Sequence, residues 1–464
     1  MKVNFKTVLW SVFMGLQGAV AFAQLPIEQE LLSPIRNAVE QNRELSMKSS
    51  SAEKTKLEIE GVQAKRLPQI SAMGAYGYLN SSLDIDLATV TLPISGNQLF
   101  SGTRSSNLSS QVGFAGVTAQ QVLFSGLQIP NGLKALEEKY KAESYMAEAG
   151  KGDIIKDVIL TYDQLMLLNE VEELILDSEK RLKKEQQKVI RGLENGFAIP
   201  YDREKLTLAI LELNEKQVEL DGNRELLYSK LKQITHMEEE ELQKVMYELK
   251  VMELTEIPFS IDDRVELKAL EHSSKAMEYN LKKEEGSKLP VAFAFGSASY
   301  LNLFDTRIKF KDLPVVGDQT VNNNHLRLAP SFFVGVGVKW DIFDGGSRRS
   351  KIKSAKLDLD INEQKRIETN EKLNLLLEKN RIDFFSSLKK IKVAEQQVKV
   401  AENNVNLANK RFMEGLTDIT DFLAAENDLY KVKLNYYSQV MAQRTAAVDL
   451  FHTSGLLVNE INNK

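Results

Sequence analysis

The chain is written twice. In each copy an alternating apolar segment ends at Phe-x-Gly, first at Phe124-Ser125-Gly126 and again at Phe343-Asp344-Gly345. A very long charged helical pattern follows, then a glycine turn (Gly196, Gly415). A second helical pattern closes the copy at Thr235-His236 or at Ser454-Gly455. Gly126 and Gly345, Gly196 and Gly415, Asp202 and Asp421, and Leu231 and Leu450 are each 219 positions apart. Landmarks at one constant offset mark an internal duplication, which constrains the fold before any local propensity does. Two copies are too few for a solenoid, so the expectation is a closed object with internal pseudo-symmetry.

Length alone, 464 residues, would suggest about three domains. No Pro/Gly/Ser-rich linker separates compact blocks, however. A net charge of −5 with abundant charges of both signs argues against a nucleic-acid partner and suits long solvated helices. The absence of cysteine excludes a disulfide framework, a thiolate metal site and a lipidated N-terminal cysteine. Residues 1–23 read as a secretory signal: Lys2 and Lys6 are the basic start, Val8 to Val20 is mostly apolar, and Ala21-Phe22-Ala23 is an A-x-A cleavage site. No later stretch approaches the ~20 apolar residues of a spanning helix. If the mature chain crosses a membrane, it must do so with strands in a closed barrel.

The first repeat occupies 24–258 and the second 259–464. Leu31 to Arg66 is helical in composition and is stopped by Pro68. Period-two alternation predicts strands at about 69–79 and 112–124, then at about 291–301 and 331–343. The Ser/Gly/Asn-rich stretches between them, 80–111 and 302–330, read as long connections. Helices are expected at about 128–194 and 200–234, and again at about 346–413 and 417–453. Gly150 and Gly152 are weak spots where the first long helix is expected to kink. Residues 236–258, with the acidic run Glu238 to Glu241, read as a connector packed outside the helices.

Two seams carry heptads. Leu377, Phe384, Ile391, Val398, Val405 and Phe412 repeat every seven residues, with Ser387, Ala394, Ala401 and Ala408 three residues on. The first helix places Leu168, Ile175, Leu182 and Val189 where the second has the small series. Helices that are large where the other is small suit alternating neighbours in a closed ring. The clearest strand alternates Phe332, Val334, Val336, Val338, Trp340 and Ile342 with small or charged residues. That is the pattern of a wall with lipid on one side and water on the other, and Trp340 sits like an interfacial aromatic.

These features together resemble the TolC family of outer-membrane efflux proteins over essentially the whole mature chain. The resemblance rests on the duplicated order of elements and on three stretches. These are Gly415-Leu416-Thr417-Asp418-Ile419-Thr420-Asp421, Lys232-Gln233-Ile234-Thr235, and Val338-Lys339-Trp340-Asp341-Ile342-Phe343-Asp344-Gly345-Gly346. It implies an α+β membrane protein: a homotrimeric twelve-stranded β-barrel, four strands per chain, continuous with a long α-helical periplasmic barrel. The implied role is the outer-membrane exit duct of a tripartite efflux or type I secretion system. Its partners would be two further copies, a periplasmic adaptor (membrane fusion) protein, an inner-membrane pump of RND or ABC type, and outer-membrane lipid. The competing reading is a periplasmic coiled-coil scaffold without a barrel, which leaves the strands and Trp340 unexplained.

No enzyme signal accompanies this pattern. His236, His272, His325 and His452 are scattered without metal-ligand spacing, and no nucleophile motif or phosphate loop occurs, so neither cofactor nor metal is expected. The candidate constriction is Phe412 with Asp418, Asp421 and Asp202; a threefold axis would make Asp421 an acidic ring that focuses cations. The plainer role for the aspartates is helix capping. In the family, polar contacts near the tips help to hold the tunnel shut, and Phe412 stands where an aromatic hydroxyl would serve. Gly196, Gly415, Leu416 and Thr417 form the expected tip turns for adaptor docking. The basic run Lys180, Arg181, Lys183, Lys184, Lys188 and Arg191 reads as a solvated face or as part of that surface.

Overall fold

The computed structural model describes residues 27–91, 98–254, 259–262, 264–313 and 317–462. The expected signal segment lies outside them. The elements run in order α1 (Leu32–Gln41), α2 (Arg43–Ala64), β1 (Gln69–Thr91), β2 (Gln98–Phe124), α3 (Gln128–Glu194), α4 (Pro200–Thr235), α5 (Glu239–Leu242), α6 (Val265–Gly286), β3 (Val291–Leu313), β4 (Gly317–Lys339), α7 (Ser347–Met413), α8 (Ile419–Ser454) and α9 (Leu457–Asn462). The duplication reaches the residue: α3 and α7 have 67 residues each and α4 and α8 have 36 each, with every boundary shifted by the same 219 positions. Each long helix is about 100 Å at 1.5 Å per residue.

The chain divides into two compact units. One comprises Met1–Ala52, Lys141–Glu271 and Gln364–Lys464; the other comprises Glu53–Tyr140 and His272–Glu363. The first is helical. Its larger core gathers Ile35, Ile155, Ile159, Tyr162, Leu231 and Phe451. A second core joins Ile175, Leu182 and Val189 of α3 to Leu206, Leu213 and Leu220 of α4, and to Val405, Phe422 and Leu429 of α7 and α8. The heptad series are therefore seam positions, as their spacing implies. Two expectations are corrected in this unit. The helix read over Leu31 to Arg66 is broken at Asn42, whose backbone is extended and whose Oδ1 accepts the Leu45 N–H at 3.0 Å, capping α2. Gly150 and Gly152 do not interrupt α3; they admit close neighbours. A Cβ on Gly150 would lie 2.9 Å from Leu45, and one on Gly152 would lie 3.2 Å from the His452 ring.

Residues 236–254 of the connector lie against this unit and are fastened by side chains, with Leu242, Leu249 and Met252 buried. The Gln443 amide accepts from Met252 N–H at 2.9 Å and donates to its carbonyl at 2.7 Å, so one side chain completes both backbone bonds. Beside it Arg444, 1% exposed, pairs with Asp163 and Glu28, each at 2.8 Å, and donates to the Lys250 carbonyl at 3.0 Å. Tyr247 donates to the same Asp163 at 2.7 Å. Burial opposes the Arg444 charge, but the Asp163 and Glu28 carboxylates hold its pKa above the ordinary arginine value. Burial and the Asp163 charge push the Tyr247 hydroxyl up.

The second unit is built on one antiparallel sheet in the order β1-β2-β3-β4. Its strands are about twice the expected length. The stretches read as polar connections continue the ladders, from Asn80↔Ser109 to Thr91↔Gln98 and from Asn302↔Arg327 to Leu313↔Gly317. Ser, Asn and Thr pair through the backbone as well as valine does, so composition concealed the strands. β4 ends earlier than expected, at Lys339, which pairs with Val291. The next residue in the partner strand would be Pro290, which has no N–H to continue the ladder. Trp340 and Ile342 therefore lie past the strand, and the Trp340 indole N–H donates to the Lys288 carbonyl at 3.1 Å. At the foot of the sheet the Phe-x-Gly glycine Gly126, at φ +64°, abuts Gly286 so closely that a Cβ on either would collide with the other's carbonyl. Nearby, His272 meets Glu138 at 2.6 Å, and Asn362 bridges Ser273 and Ser274 at 3.0 and 2.7 Å.

Candidate functional site: the helical turns and the exposed sheet

Both long helices end in the same closure. Gly415 N–H reaches the Phe412 carbonyl at 3.0 Å and Leu416 N–H the Arg411 carbonyl at 2.9 Å. Gly196 and Phe197 repeat this with Leu193 and Gly192, at 3.2 and 2.7 Å. The pair of bonds requires a left-handed residue, and the two glycines supply it at φ +77° and +68°. The apolar residue after each glycine is left in solvent: Phe197 is 90% exposed and Leu416 68%. Thr417 is half-buried behind Leu416 in sequence.

The structure separates the expected constriction residues by role. Asp418 is the N-cap of α8 and accepts from Thr420 N–H at 2.8 Å and from Asp421 N–H at 3.3 Å. Asp202, in the first turn of α4, accepts the Ile199 N–H at 3.1 Å. Phe412 is half-buried and stacks on Phe422, with centroids 6.2 Å apart and planes 15° from parallel. Asp421 is exposed in the first turn of α8.

A polar cluster near these turns went unread in the sequence. Arg181 of α3 donates its Nε–H to both oxygens of Glu426 of α8, at 3.0 and 3.1 Å, and also bonds Asp177 and Ser178. Burial works against the Arg181 charge, but the Glu426 and Asp177 carboxylates keep its pKa raised. Lys216 of α4 lies 3.8 Å above the Tyr430 ring of α8. A signal existed: Glu426 falls in the buried spacing Ile419, Phe422, Glu426, Leu429, where an acid requires a partner. Arg181 was hidden among lysines whose ion pairs run along their own helix, such as Lys183 with Glu179 and Lys188 with Glu185.

In the other unit, Phe332, Val334, Val336 and Val338 stand 72–83% exposed on one face of β4. The register sets Ala298, Gly296, Ala294 and Ala292 beside them on β3. On the opposite face Phe293 and Phe295 lie over Gly337 and Gly335; a Cβ there would come within 2.7 and 3.1 Å of the rings. Among the described residues no helix is long and apolar enough to cross a membrane, and no group of three His, Asp or Glu is placed to hold a metal ion.

Residues 316–456 match the model of the outer membrane efflux protein family. A comparison with curated proteins found no match. Among solved structures, a membrane protein from Pseudomonas aeruginosa has TM-score 0.74 at 14% identity, covering 93% of this chain and 95% of that one. The outer membrane protein VceC of Vibrio cholerae has TM-score 0.69 at 13% identity, over 92% and 96%. The open state of the MtrE outer membrane channel of Neisseria gonorrhoeae has TM-score 0.68 at 16% identity, over 93% and 90%. The resemblance to the TolC family is borne out, and the fold, long helices with an antiparallel sheet, is that of these solved structures.

Proposed function

We propose that this chain, built on the fold of outer-membrane channels, is the outer-membrane exit duct of a tripartite efflux system. The observation that carries the reading is a four-stranded antiparallel sheet with two open edges, β1 and β4, and a broad exposed apolar face. In hydrocarbon an unpaired strand edge is untenable, so such a sheet spans a membrane only as part of a closed barrel. Four strands are too few to close, since about eight already leave an interior just filled by side chains. Three copies, β4 of each against β1 of the next, give the twelve-stranded barrel that the family resemblance implies. Val334, Val336 and Val338 then meet lipid.

The helical turns would lie at the periplasmic end. Exposed Phe197 and Leu416 suit docking to an adaptor, which links the duct to an RND or ABC pump. Asp421 is the proposed acidic ring, set in place by the Asp418 cap, and Phe412 bears on the constriction through its stack on Phe422. Arg181 and Glu426 would hold α3 and α8 together near it. Fractionation with cross-linking tests the reading. The duct is expected in the outer-membrane fraction as a trimer; recovery as a soluble monomer favours the coiled-coil scaffold.

A further inference from the structure

The strands are more than twice as long as a membrane crossing needs: β3 has 23 residues and β2 has 27, against the 9–11 of a spanning strand. The face that carries Val334 and Val336 is uncharged only over its helix-proximal part. On β3 that part runs from Ala292 to Tyr300 and on β1 from Ile70 to Tyr78, nine residues each. Tyr76, Tyr78 and Tyr300 stand at its far edge, as interfacial aromatics do. Beyond them the same face becomes charged. Arg327 lies over the Tyr300 ring at 5.4 Å, Arg307 and Lys309 follow along β3, and Asp84 on β1 accepts from Ser105 at 2.5 Å.

On the opposite face the aliphatic band lies farther out. Near the helices Ser71, Thr118, Ser297 and Ser299 share that face with Phe293, Phe295 and Phe333; beyond them it holds Val112, Leu303, Leu326, Leu108, Ile308 and Val321. A bulge at Asp305, φ +49°, keeps the reversal coherent. Gln111 pairs with Phe304 but Ser109 pairs with Arg307, so β3 carries one extra residue. With it Ile308 joins Leu303, and Arg307 joins the charged face; without it they would exchange sides. Ser110 and Thr306 seal the point with a buried hydroxyl–hydroxyl bond of 2.9 Å.

The leucine face is also the crowded one. On the inner strands Ser106, Ser110 and Thr306 are 1–3% exposed and Leu108, Leu303 and Ile308 are half-buried; on the charged face Asn302, beside Tyr300 and Arg327, is buried, but Ser105, Asn107, Arg307 and Lys309 are exposed. The sheet therefore curls toward the leucines, which places the charges outside. We propose that the lipid belt ends near Tyr78 and Tyr300. Beyond it the outer halves of the strands rise as an extracellular collar, whose leucine face packs toward the same face of the other two copies and narrows the exit. The occupant is a further copy because the charged back already meets water, and an apolar band this long is not left in solvent. The inference rests on the barrel proposed above.

Site-directed labelling separates the two claims, and a chain without cysteine makes it clean. Full-length Val336→Cys and Leu303→Cys proteins are labelled with bimane in phosphatidylcholine vesicles containing a doxyl lipid. Loss of fluorescence is expected at Val336 and none at Leu303. Quenching at Leu303 would place the leucine band in lipid and overturn the collar while leaving a membrane duct. Quenching at neither position, with protein absent from the membrane fraction, would remove the duct itself and the collar with it. As a second readout, Leu303→Ser with Leu326→Ser should raise single-channel conductance; an unchanged conductance would refute the narrowing.

Discussion

Arg181 and Glu426 meet in a two-point contact that ties α3 to α8 within one chain, with the Glu426 side chain only 6% exposed. Losing Arg181 strands Glu426 in a site built for a pair, and losing Glu426 leaves Arg181 with Asp177 and Ser178 of its own helix only. Glu426→Gln or Arg181→Gln should each cost about 1–3 kcal/mol. The double variant should cost clearly less than the sum, because the two losses are one interaction. Thermal unfolding of the purified protein followed by circular dichroism measures the coupling; strictly additive losses would mean that the contact contributes nothing.

Phe412 and Asp421 are predicted to part company. Phe412→Ala removes a stacked ring from the α7–α8 seam and should cost about 0.5–1.5 kcal/mol for the aromatic pair beyond its lost area. Asp421→Ala leaves the Asp418 cap intact and should lower cation preference with little change in stability. Asp418→Ala should instead cost about 0.5–2 kcal/mol of capping. Reversal potentials under a salt gradient, read beside the unfolding curves, sort the three. A selectivity change in Asp418→Ala alone would move the acidic ring from one aspartate to the other.

Arg444 is the arginine on which the connector depends. Arg444→Met leaves Asp163 and Glu28 with an unpaired charge, and breaking a buried pair of this kind costs about 3–5 kcal/mol. Adding Asp163→Leu should recover part of the loss, since apolar replacement of a whole buried pair is often tolerated. Limited proteolysis reports the outcome: cleavage within 236–254 should appear in the single variant and recede in the double. Equal protection in wild type and Arg444→Met would show that the cluster does not hold the connector.

The facing of the sheet is tested by charge. Val336→Arg should cost about 2–4 kcal/mol if it meets the bilayer midplane. Gly335 is a poor control, because any side chain there displaces the Phe295 ring. Ser299→Arg, on the opposite face, is the cleaner comparison and should assemble nearly as wild type. Equal loss of assembled trimer in both variants would contradict the proposed facing.

Much of this architecture was legible because it was repeated. Gly196 and Gly415, Asp202 and Asp421, and the seven-residue series ending at Phe412 all report local chemistry that survives in any context: a left-handed turn, a helix start, a seam. The outer halves of the strands were not legible. From Asn80 onward the apolar residues change faces, so a search for one continuous apolar side ends where the strand does not. Nor was the Arg181–Glu426 contact, which joins residues 245 apart and becomes visible only when α3 and α8 are laid together. The break at Asn42 left a weaker trace, an Asx residue with no glycine or proline to mark it.

An exit duct must conduct ions. Purified full-length protein added to a planar lipid bilayer under applied voltage measures this directly. Discrete, uniform current steps from an inserted trimer are expected, with a preference for cations that Asp421→Ala reduces. Protein that remains soluble and monomeric and yields no current steps at any voltage would contradict the exit duct.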